Sequence, residues 1–143
     1  MRRLNGQRGS VLVLMPVAVL IVLLLGAVAV DLTVVHLRQQ QAVDAAASAA
    51  NDAVTLGLDE DALRAGRGYR LDAERVRRIV VESIDAQGLT DGLAGPPIVT
   101  EPTPQSVQVV LTFRVDYIFA RSIPGAPRST TVRGTATASA QEG

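Results

Sequence analysis

The chain has 143 residues, with 14 basic and 14 acidic side chains and a formal net charge of 0. Because the charges balance, no global field draws the protein to nucleic acid or to acidic substrates, and we expect no nucleic-acid partner. Cysteine is absent, which excludes disulfide bonds and thiolate metal sites. Once the N-terminal basic leader and the apolar stretch that follows it are set aside, roughly 110 residues remain, which is enough for one small domain.

An unbroken apolar stretch from Val11 to Val30 dominates the N-terminal part of the chain. A helix of about 20 residues is about 30 Å long, which matches the hydrocarbon thickness of a bilayer. Residues 1–9 include three arginines and no acidic residue. Basic residues are enriched on the cytoplasmic side of membrane helices, so these arginines predict a cytoplasmic leader over 1–9 and an N-terminus inside. The transmembrane helix is predicted over 10–30. We therefore expect a single-pass protein of the cytoplasmic membrane with an extracytoplasmic C-terminal domain.

A secretory signal peptide is the alternative interpretation of the same stretch. The small-x-small triplet Ala27-Val28-Ala29 is typical of a cleavage site, and the mature protein would then be a secreted binding or adhesion domain. Two features favour the anchor instead. The apolar stretch is longer than the usual signal core of about 7 to 15 residues, and the helical pattern continues past Ala29.

Residues 31–56 contain no glycine or proline and many alanines, so we expect the membrane helix to continue outside the membrane. Residues at alternating steps of three and four, most of them small, form a heptad-like seam, here called the alanine seam: Leu32, Val35, Gln39, Ala42, Ala46, Ala49 and Ala53. Small side chains let a partner helix approach closely, so this seam is suited to packing on another subunit. It is equally suited to lying under the protein's own C-terminal domain.

Residues 57–143 predict a small extracytoplasmic α+β domain. Asp72 has the character of an N-cap, and the helix that follows has an apolar face of Val76, Ile79, Val80 and Ile84 and ends before Gly88. A glycine- and proline-rich connection follows, with one short strand predicted over 98–100.

The C-terminal third carries the clearest strand signal in the chain. Apolar and polar residues alternate over 106–119 and again over 131–140, which predicts an antiparallel hairpin. Two strands alone are marginal in water, so the apolar face needs a cover, and the helix over 72–87 is the predicted one. Phe113, Tyr117 and Phe119 are then expected in a small core.

Little in the sequence is suited to catalysis. The single histidine, His36, has no second histidine near it, and nucleophile, phosphate-loop and paired-carboxylate motifs are missing. We therefore expect a non-enzyme without metal or cofactor. Asp31, at the end of the apolar stretch, has two open interpretations: a contact with a neighbouring subunit, or simply the point where the helix enters water.

The N-terminus resembles the prepilin signal of type IV pilin-like proteins. A short basic leader ends at Gly9 and is followed by SVLVLMPVAVL, as in the TadE/TadG-like group associated with Flp pilus assembly and tight adherence. The resemblance implies that a prepilin peptidase acts on the protein and cuts between Gly9 and Ser10, which leaves the helix in the membrane. The fifth residue after this bond is Leu14, where many pilin-like proteins have glutamate.

Two further stretches resemble the same group. In the helix after the membrane segment, the matching positions are Asp31, Arg38, Gln41 and Asp44. Residues 107–140 look like the group's closing pair of strands. The resemblance implies a minor pseudopilin-like pilus-assembly protein at the cell surface. Its partners would be the membrane and other pilus or secretion-system subunits, which it would engage by helix packing.

Overall fold

A computed structural model describes residues 8–140, which form an α+β fold as expected. The helices are α1 (Arg8–Leu56), the short α2 (Glu60–Arg64) and α3 (Ala73–Ala86). The strands are β1 (Ile98–Thr103), β2 (Ser106–Asp116) and β3 (Ser129–Ser139), and they form one antiparallel sheet in the order β1-β2-β3. Short 3-10 turns lie at Thr90–Gly92 and Ala120–Ser122.

Helix α1 is continuous over 49 residues and includes Pro16 within its apolar part. It ends at Leu56, one residue before Gly57, as the sequence predicts. A Cβ atom at Gly57 would lie 2.8 Å from Cγ2 of Val76, so the missing side chain lets α3 pack against the end of α1. The side chain of Asp72 accepts hydrogen bonds from the N–H groups of Glu74 and Arg75, which confirms the predicted N-cap of α3.

The two halves of α1 differ sharply in burial. Over Leu14–Val30, here called the apolar half, every side chain is exposed except that of Ala27, which is half-buried. Over Asp31–Leu56, here called the core half, six alanines are buried in the domain core: Ala42, Ala45, Ala46, Ala49, Ala50 and Ala53. Among the described residues, α1 is the one helix that is long and apolar enough to cross a membrane.

Strand β2 is the centre of the sheet. It pairs with β3 along its whole length, from Ser106 opposite Ser139 to Asp116 opposite Ser129, which confirms the predicted hairpin. On its other side it pairs with β1, with Ile98 opposite Val110. Alternate residues of β2 are buried, as the sequence pattern predicts: Val107, Val109, Leu111, Phe113 and Val115.

The helix that covers the sheet is α1, and the prediction that α3 would cover it is wrong. The core half of α1 contacts β2, β3 and α3, whereas α3 lies against α1 and reaches the edge strand β1. Val76, Val80 and Ile84 of α3 are buried in the same core. The physical reason is size: alanines bring the backbone of α1 close to the sheet, so the small domain needs no second helix directly above β2 and β3.

The predicted strand over 106–119 is too long by three residues. β2 ends at Asp116, Tyr117 is half-buried, and Phe119, predicted in the core, is 46% exposed. The strand ends here because the N–H groups of Ile118 and Phe119 bind the side chain of Asp31 instead of a neighbouring strand. Phe113 is buried, as expected.

The closest approach of helix and sheet is at Gly134 of β3, where a Cβ atom would overlap the backbone carbonyl of Ala42. Gln39 strengthens the same contact, because its side-chain Nε2 donates to the carbonyl oxygen of Arg133 at 2.7 Å. Glycine at this position therefore sets the distance between α1 and β3.

We expect Gly134→Ala to lower the free energy of unfolding by about 1 to 3 kcal/mol or more, because the helix and sheet must separate to admit the methyl group. Gly95→Ala is the matched control, since a Cβ there meets open space, and it should change stability by less than about 0.5 kcal/mol. Urea-dependent proteolysis of the full chain in detergent measures both. Equal stability of the two variants would contradict the close approach.

Candidate functional site

The junction between the apolar half of α1 and the domain is built around Asp31. This residue is the first of the core half, and only 7% of it is exposed. Its carboxylate accepts hydrogen bonds from three successive backbone N–H groups, those of Ile118 at 2.7 Å, Phe119 at 3.1 Å and Ala120 at 2.9 Å. The loop after β2 is thus fastened to the helix at the residue where the apolar stretch ends.

The charge of Asp31 is stabilised by this arrangement. Burial raises the pKa of the Asp31 carboxyl, but the three N–H hydrogen bonds and the nearby Arg121 guanidinium lower it, and the pKa lies below its usual value. The sequence suggested either a contact between Asp31 and a neighbouring subunit or the point where the helix enters water, and the structure shows a different arrangement. The carboxylate is turned away from water and holds a segment of its own chain.

We expect Asp31→Asn to weaken the domain near neutral pH and to remove part of its pH dependence. Since the folded-state pKa is lowered, the contribution of Asp31 is complete above the unfolded pKa of about 3.9 and is lost as the pH falls through the folded value. The urea midpoints of wild type and Asp31→Asn should therefore differ at about pH 7, and the difference should shrink as the pH falls below the unfolded pKa of about 3.9.

Asp44→Asn, on the exposed side of α1, is the matched control and should leave the midpoint at about pH 7 nearly unchanged. Hydrogen exchange supplies a local readout, because Asp31→Asn should speed exchange at the amides of Ile118, Phe119 and Ala120. Unchanged exchange at these three amides would show that the carboxylate does not hold the loop.

The alanine seam lies inside the domain. Ala42, Ala46, Ala49 and Ala53 are fully buried in the core that α1 forms with the sheet and α3, which is the arrangement of the second interpretation. The N-terminal members differ: Leu32 is 63% exposed, whereas Val35 and Gln39 are half-buried. In the described structure the alanines are not available to a partner, and leucine at Ala46 or Ala49 would disturb the protein's own core.

Of the other family-like positions, Arg38 and Asp44 are exposed and Gln41 is half-buried. Nη1 of Arg38 donates to Oε1 of Gln41 at 2.6 Å. Gln41 and Asp44 line a surface depression whose other walls come from α1 and the end of α3, with Leu37, Gln40, Ala45, Gln87 and Leu89. His36 lies outside this lining, and its Nε2 is 3.1 Å from Nε2 of Gln40.

The proposed processing site lies at the start of α1. Gly9 and Ser10 are in its first turn, which is where helices open most readily. Residues 1–7 of the predicted leader over 1–9 lie outside the described residues.

Within residues 8–140, no group of three His, Asp or Glu side chains is placed to hold a metal ion. The ion pairs of the described chain are exposed, and most join residues three or four apart on one helix. Such pairs contribute little to stability.

No protein-family model, curated protein or solved structure matches the chain.

Proposed function

We propose that the protein is a non-enzymatic, membrane-anchored assembly component, similar in role to a minor pseudopilin. In this proposal the N-terminus lies on the cytoplasmic side of the cytoplasmic membrane, the domain lies on the extracytoplasmic side, and the apolar half of α1 engages other pilus or secretion subunits. The observation that carries the proposal is the continuity of α1. Its apolar half is exposed, and its core half is packed into the core of the domain. In the proposed arrangement one continuous helix joins the membrane to the domain.

The exposure of the apolar half supports a membrane environment. Large aliphatic side chains such as Leu14, Leu20 and Leu24 are 54 to 63% exposed. A water-soluble monomer rarely exposes a contiguous apolar patch of more than a few hundred Å², whereas lipid solvates such a surface favourably. Pro16 is also tolerated better there than in a soluble helix.

Helix packing in the bilayer is the proposed mechanism. The alanines of the seam pack against the protein's own sheet, so we expect partner helices to contact the apolar half instead. At Gly26 a Cβ atom would meet nothing, so another helix has room to approach the backbone there. Cleavage at Gly9-Ser10 by a prepilin peptidase would remove the basic leader and keep both halves of α1.

A secreted binding or adhesion domain is the second candidate, and one observation favours it. Among the residues whose burial the structure describes, every buried one lies C-terminal to Ala29, beginning with Asp31 and Ala42. Removal of the chain up to Ala29 would therefore leave the core and the Asp31 contacts in place.

A photo-crosslinking amino acid at Leu24 tests the proposal in the native host. The matched control is Val81 on α3, because the two side chains are almost equally exposed, at 54% and 55%. Close helix packing places the Leu24 probe against a partner, so we expect a discrete adduct that mass spectrometry identifies as a pilus or secretion subunit, and no such adduct from Val81.

Recovery of the protein in the extracellular fluid without its apolar half would favour the secreted domain. A Leu24 probe that stays in the membrane and forms adducts with lipid alone would contradict helix packing with subunits and leave a simple anchor.

A further inference from the structure

The loop from Tyr117 to Arg128, here called the interface loop, carries three exposed large apolar side chains. Ile118 is 45% exposed, Phe119 is 46% exposed and Ile123 is 54% exposed. In the described structure these side chains are not covered by the core, which is completed by the alternate residues of β2. Exposed clusters of this kind mark surfaces that contact a protein or a membrane.

The position of the loop along α1 indicates which of these it contacts. Asp31 binds the N–H groups of Ile118, Phe119 and Ala120, so the loop is held beside the helix where the apolar stretch ends. Side chains of a helix lean toward its N-terminus, which directs the Asp31 carboxylate back over the preceding turn.

Burial within the apolar half agrees with this placement. Ala27, four residues before Asp31 and on the same face of the helix, is the one half-buried residue of Leu14–Val30. The 3-10 turn Ala120–Ser122 also contacts α1. The interface loop therefore lies level with the last turn of the apolar half.

The charge of the loop suits a lipid surface. It contains Arg121 and Arg128 and no acidic residue. Arginines beside apolar and aromatic side chains are typical of the headgroup region, where the guanidinium reaches phosphate and the carbon chains enter the acyl boundary. Anionic lipid would add electrostatic attraction.

We propose that the interface loop inserts Ile118, Phe119 and Ile123 into the outer boundary of the bilayer, with Arg121 at the level of the lipid phosphates. This inference rests on the proposed membrane anchor and adds a second contact between the domain and the same membrane. The bilayer is the occupant because the loop continues the apolar surface of the helix at the depth where that helix leaves the hydrocarbon. Two contacts fix the domain's orientation about the axis of α1, which a single helix leaves free.

The absence of native cysteine makes single-site labelling a clean test. The full chain with Phe119→Cys is labelled with an environment-sensitive fluorophore and reconstituted in vesicles of phosphatidylethanolamine and phosphatidylglycerol. Some of the lipid carries a nitroxide quencher on the acyl chain. Ile98→Cys on β1, 53% exposed, is the matched control, and Val22→Cys reports the anchor itself.

We expect strong quenching at positions 119 and 22 and several-fold weaker quenching at position 98. Adding Asp31→Ala to the Phe119→Cys chain should reduce quenching at 119 and leave a Val22→Cys probe unchanged, since only the loop is released.

Quenching at 22 without quenching at 119 would overturn the loop insertion while the anchor stands. Quenching at neither position would overturn the anchor and, with it, the proposed function. A position-119 probe that is shielded from water but not quenched by lipid would show that a second copy of the chain, and not the bilayer, covers the loop.

Discussion

The structure depends on the close contact between the core half of α1 and the sheet. Six buried alanines on the helix and Gly134 on β3 remove the side chains that would keep the two backbones apart. Alanine loses no side-chain entropy on burial, and it is the best helix former. The large apolar side chains of this contact come from the sheet, at alternate residues of β2. Each contributes about 1.5 to 3 kcal/mol when fully buried.

The two halves of α1 carry different kinds of side chain. Large aliphatic residues fill the apolar half, which suits lipid, and small residues fill the core half, which suits close packing. Asp31 stands between them, and its hydrogen bonds tie the distal end of β2 to the helix at that boundary. A shift of α1 along its own axis would therefore carry the sheet and the interface loop with it, as the proposed assembly through the apolar half of α1 would require.

The elements themselves were largely predictable from the sequence. The sequence contains local signals for the end of α1 before Gly57 and for the Asp72 cap. The pairing of β2 with β3 follows from the alternation of apolar and polar residues in both strands. The helix that covers the sheet was predicted wrongly, because periodicity shows that a face is apolar and does not show what lies on it. The alanine seam contained the correct answer as one of two interpretations.

The role of Asp31 and the exposure of Phe119 were beyond sequence reasoning for a single physical reason. They are two sides of one contact between residues 87 or 88 positions apart, and nothing in the alternation of residues 106–119 signals that the last three leave the sheet. A carboxylate directly after a long apolar stretch was the available clue. It identifies a residue whose charge needs partners, without identifying them.

The N-terminal residue and mass of the mature protein, taken from both the membrane and the extracellular fractions, test whether the apolar half and the core half of α1 stay joined. We expect a membrane-bound chain that begins at Ser10 and retains the apolar half. A start at Met1 would keep the anchor and contradict the processing step. A soluble chain that begins at Val30 or Asp31 would contradict the account, because the helix that joins membrane and domain would have been cut at their junction.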